Sequence, residues 1–148
     1  PFGLHDIVNT ILDWAEKKGS HEIVILDGVA SKTHDGKAFC AAEEDLCRVM
    51  ESNDINMIPQ GFITGVAGGL LNECLMRPIQ GITLLVKAND KGADPLAAAT
   101  LLDAVNRAYG LNINTSDLRK KKKRIGADFK ELSDKYTEHR KIDSNMYM

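Results

Sequence analysis

Aromatic residues are scarce in this chain: Phe, Trp and Tyr together make up 5% of 148 residues, with a single tryptophan. A core of stacked rings is therefore excluded, and Leu, Ile, Val and Ala must supply most of the buried surface. Cysteine is equally sparse. Cys40, Cys47 and Cys74 are odd in number and fit no disulfide framework or zinc spacing. Each reads as a small apolar filler in a reducing compartment, so a cytoplasmic location is expected. No apolar run approaches the ~20 residues that span a bilayer, and no signal peptide opens the chain, so no membrane association is expected. The numbering starts at Pro1 rather than Met, and an N-terminal piece is expected to precede it.

Recognisable catalytic and metal-binding patterns are also missing. His5, His21, His34 and His139 have no metal-ligand spacing to a cysteine or carboxylate, and each reads as a surface residue. Ser20, Ser31 and Cys40 lack the context of a nucleophile elbow. Acidic residues are plentiful but spread along helical stretches, so no carboxylate pair stands out for acid–base work. No metal and no cofactor are expected.

What remains is a globular composition, 43% hydrophobic and 27% charged, in a chain long enough to enclose a core. The net charge of −2 is uneven. Residues 1–116 hold 9 Lys/Arg against 15 Asp/Glu, or −6, whereas residues 117–148 hold 10 against 6, or +4. The division suggests an α/β core over 1–116 and a basic helical extension over 117–148.

Periodicity supports that division. Leu4, Ile7, Val8, Ile11, Leu12 and Ala15 recur at helical spacing and stop at Gly19. Ile23 to Leu26 is a continuous apolar run, as in a strand covered on both faces, closed by Asp27-Gly28. A polar loop over 31–37 separates it from a short strand over 38–42 and a helix over 43–52. Phe62 to Val66 reads as a strand entering a glycine-rich turn, followed by a helix from about Gly68 to Met76. Ile82 to Val86 is the clearest buried strand. Asp94-Pro95 is a helix start, with an N-cap acceptor and a proline whose missing donor costs nothing in the first turn. Gly110 marks that helix's end. Strands alternating with helices predict an α/β sandwich with a mostly parallel or mixed sheet. In the extension, Ile125, Phe129, Leu132 and Tyr136 fall on one helical face.

Two segments invite a functional reading. Gly61-Phe62-Ile63-Thr64-Gly65-Val66-Ala67-Gly68-Gly69 places Gly65, Gly68 and Gly69 where a helix N-terminus could meet an anion. It is neither Gly-x-Gly-x-x-Gly nor a P-loop, and tight strand–helix packing is the favoured explanation. An enzyme acting on a small phosphorylated or nucleoside ligand at this turn is the alternative function. The second segment, Arg119 to Arg124, is six consecutive basic residues. It lacks the aromatic platform of a nucleic-acid module, so a solvated linker is expected rather than nucleic-acid binding.

The succession from the glycine-rich turn, through the strand 81–86, to Asp94-Pro95-Leu96-Ala97-Ala98-Ala99 and Leu111-Asn112-Ile113 resembles the proteasome assembly chaperone family, particularly its archaeal members. The strand-and-glycine segment Ile23 to Gly28 fits the same pattern. The resemblance implies a three-layer α/β/α fold similar to nucleoside phosphorylases, no enzymatic activity, and binding to proteasome α subunits or the 20S core particle. With Met148 read as the terminus, Met146-Tyr147-Met148 matches the hydrophobic–Tyr–any tail by which proteasome activators and some assembly chaperones dock. The resemblance makes Met146 the apolar anchor, Tyr147 the aromatic wedge and Met148 the carboxylate bound by a pocket lysine. One such tail buries little surface and binds weakly, so a homo-oligomer presenting several tails is expected.

Overall fold

A computed structural model describes residues 3–90 and 92–121. The elements follow the order α1 (Leu4–Lys17), β1 (Glu22–Ala30), β2 (Ala38–Ala41), α2 (Glu44–Glu51), β3 (Asn56–Met57), α3 (Gly65–Cys74), β4 (Gln80–Ala88) and α4 (Pro95–Tyr109). Residues 116–121 add a helical turn and a half beyond α4.

The four strands form one mixed sheet in the order β1-β4-β2-β3. β1 runs parallel to β4 along its whole length, from Glu22 opposite Gln80 to Ala30 opposite Ala88. β2 is antiparallel to β4, with Cys40 opposite Leu84, and parallel to the two-residue β3. Successive side chains on β4 point to opposite faces. Ile82, Leu84 and Val86 enter a core shared with Cys40, Cys47, Met50, Ile55, Leu101 and Ala104, placing α2 and α4 on that side. On the other face Gly81 meets Cys74 of α3. There Val8, Leu12, Ala15, Leu70, Cys74 and Ile79 form a second core, flanked by Ile23 and Ile25 of β1. The result is two helices on each face of one sheet.

Local chemistry explains the element ends. The Asp94 carboxylate accepts hydrogen bonds from Leu96 N (3.1 Å) and Ala97 N (3.0 Å), capping α4 with Pro95 in its first turn. Gly110 closes the helix in the left-handed region, φ +62°. α1 begins where the Asp6 carboxylate accepts from Gly3 N at 3.0 Å. Its Val8, Leu12 and Ala15 recur at steps of four and three and are buried, which gives the periodicity its cause.

Two expectations are corrected. Phe62 to Val66 is not a strand: α3 starts at Gly65, and Phe62 is 99% exposed. Asp27-Gly28 does not close β1, which runs on to Ala30 because its partner β4 continues to Ala88. β3 was not expected, and two residues are too few to leave a period in the sequence. The amphipathic stretch from Ile125 to Tyr136 lies outside the described residues.

Candidate functional site

The glycine-rich turn has a clear structural content. Thr64 occupies the N-cap position of α3 without a side-chain hydrogen bond, and Gly65 follows with φ +67°. A β-carbon on Gly68 would lie 2.2 Å from the carbonyl oxygen of Ile63. A β-carbon on Gly69 would lie 2.8 Å from a Val8 methyl carbon. Gly68 therefore lets the incoming backbone fold across the first turn of α3, and Gly69 lets α1 approach the helix. The space cleared at Gly68 is filled by the chain's own carbonyl oxygen, and the contacts are those of a packing turn.

Met146, Tyr147 and Met148 lie outside the described residues. Of the basic run, Arg119 to Lys121 are described. Arg119 pairs with Asp103 of α4, and Thr115 Oγ1 donates to the same carboxylate at 2.9 Å. Lys120 lies 3.5 Å from Asp117. The first cation of the run thus fastens the start of the extension to α4.

A cleft missed in the sequence opens at the carboxyl ends of β1 and β4, the end of a parallel sheet where ligands commonly bind. It measures about 340 Å3, and its lining includes Ser31, His34, Lys87, Asp90 and Asp94. Lys87 Nζ lies 2.9 Å from Asp35 Oδ2, and this hydrogen bond holds the Asp35 carboxyl below the usual carboxylate range. Burial pushes the Asp94 carboxyl upward, but the N–H groups of Ala97, Asn89 and Leu96 outweigh it, and the net shift is downward. His34 Nδ1 accepts from Gly36 N at 2.9 Å, which in the neutral ring puts the proton on Nε2. Nε2 is buried with no hydrogen-bond partner among the described residues. The cleft is polar, yet Lys87 is matched by Asp35 and Asp94 is committed to α4. His34-Asp35 had read only as a polar loop. Its pairing with Lys87, just past the apolar run of β4, has no local signature.

The cysteines carry no nucleophile. All three are buried and free. Burial, reinforced by Cys47, pushes the Cys40 thiol up to about 12, far from a reactive thiolate. Among the described residues no three His, Cys, Asp or Glu side chains cluster to hold a metal. No helix there is long and apolar enough to cross a membrane.

A mixed four-stranded sheet with helices on both faces, a packed glycine turn and an α4 capped by Asp94-Pro95 define an α/β protein. The PAC2 family profile matches residues 1–133, and the chain belongs to that family. It is similar to a protein of Methanocaldococcus jannaschii described as uncharacterised, 26% identical over 136 residues, which are 92% of this chain and 57% of that protein. Among solved structures it is similar to a protein of unknown function from Thermoplasma acidophilum, with 29% identity and a TM-score of 0.73 over 95% of this chain and 59% of that one. Pyrococcus furiosus PbaB, an archaeal proteasome activator, is 25% identical with a TM-score of 0.76, covering 88% of this chain and 58% of PbaB. The fold is also shared with P. furiosus PbaA, an archaeal homologue of proteasome-assembly chaperone. There the TM-score is 0.86 at 23% identity, over 97% of this chain and 62% of PbaA. The chain thus spans about three-fifths of the length of these relatives.

Proposed function

We propose that this chain is a non-enzymatic partner of the 20S proteasome, an assembly chaperone or adaptor that binds α subunits or the α ring. The observation that carries the reading is the coincidence of two independent features. The body belongs to the PAC2 family and resembles a solved archaeal proteasome activator, and residues 146–148 read Met-Tyr-Met, the hydrophobic–Tyr–any pattern.

The chemistry of docking follows from those three residues. Met146 offers a flexible apolar anchor. Tyr147 brings a flat ring with a polar tip and few rotatable bonds to immobilise. With Met148 read as the terminus, its carboxylate would take a charge-assisted hydrogen bond from a lysine in the receptor. The extension between Arg119 and the tail sets the reach. Arg119, at its start, is paired with Asp103 of α4, and several tails on an oligomer would act together.

The test is native mass spectrometry of the full chain mixed with archaeal α subunits and, separately, with assembled core particles, beside a variant lacking residues 146–148. The expected result is a complex with the full chain that disappears on tail deletion. A complex equally abundant with the deletion variant contradicts the tail mechanism, and no complex with either form contradicts the proteasome reading.

A further inference from the structure

We draw no further inference here: the strongest candidate, the polar cleft at the carboxyl ends of β1 and β4 beside the His34 ring, carries nothing, because Lys87 is engaged by Asp35 and Asp94 by the first turn of α4 and nothing in the structure shows what the cleft would hold.

Discussion

The guanidinium of Arg77 lies 2.6 Å from the Asp13 carboxylate, joining the segment after α3 to the middle of α1. The same side chain reaches Asn9 at 2.8 Å and Glu16 at 3.3 Å, with Glu73 3.8 Å away. Single exposed ion pairs contribute little, but a planar donor shared among several acceptors orders two helices at once. Those helices form the face of the sheet that packs around Gly69.

Arg77→Met should therefore lower the melting temperature by a few degrees and Arg77→Lys by nearly as much, since an ammonium cannot serve the same acceptors in a plane. Calorimetry at low and high salt checks this. The wild-type advantage should shrink at 1 M NaCl, where exposed charges are screened beyond about 3 Å.

Substitutions at the three glycines should separate by cause. Gly68→Ala forces a β-carbon against backbone, the Ile63 carbonyl, and should cost about 2–4 kcal/mol. Gly69→Ala meets only a movable Val8 methyl and should cost about 1–2 kcal/mol. Gly65→Ala has open space but positive φ, and should cost about 1 kcal/mol. Urea unfolding of the three variants gives the order directly. Equal costs would show that the turn is not packed as described.

Asp94 links stability to pH. Backbone N–H groups outweigh the effect of burial and hold its carboxyl below the usual carboxylate range, so the ionised form is favoured by folding. That contribution is fully present above the unfolded value and is lost as pH falls from about 4 through the lower folded value. Asp94→Ala should lose about 1–2 kcal/mol at pH 7 with a shallower decline on acidification. Asp94→Asn keeps a capping acceptor and should fall between the two. Urea midpoints from pH 7 to pH 2.5 check the sign.

The buried thiols predict slow chemistry. With Cys40, Cys47 and Cys74 buried and the Cys40 thiol pushed up to about 12, a disulfide reagent at pH 8 should modify the folded chain at least ~100-fold more slowly than the unfolded chain. Rapid reaction of even one cysteine before unfolding would place it at the surface.

Much of this architecture was legible because local chemistry and tertiary packing agree. α4 is written in Asp94, Pro95 and Gly110, each performing in the structure the role its chemistry suggests. β4 reads as buried because residues 81–86 are covered on both faces. The failures share one cause, that the deciding interaction is distant in sequence. Phe62 and Ile63 have the composition of a strand, yet no neighbouring strand accepts them. The antiparallel placement of β2 against β4 depends on pairs such as Phe39 with Leu85, 46 positions apart, which leave no periodic signal. The cleft at Lys87 and Asp35 was hidden for the same reason. Gly65, Gly68 and Gly69 were identified by residue type, but only the contacts with Ile63 and Val8 reveal what two of them are for.

The most direct measurement of the central claim is equilibrium binding of the full chain to assembled 20S core particle, comparing wild type with Tyr147→Ala and Tyr147→Phe. The account predicts that Tyr147→Ala weakens binding at least about tenfold with an unchanged melting temperature, and that Tyr147→Phe retains part of the affinity. Tyr147→Ala binding as tightly as wild type would contradict it.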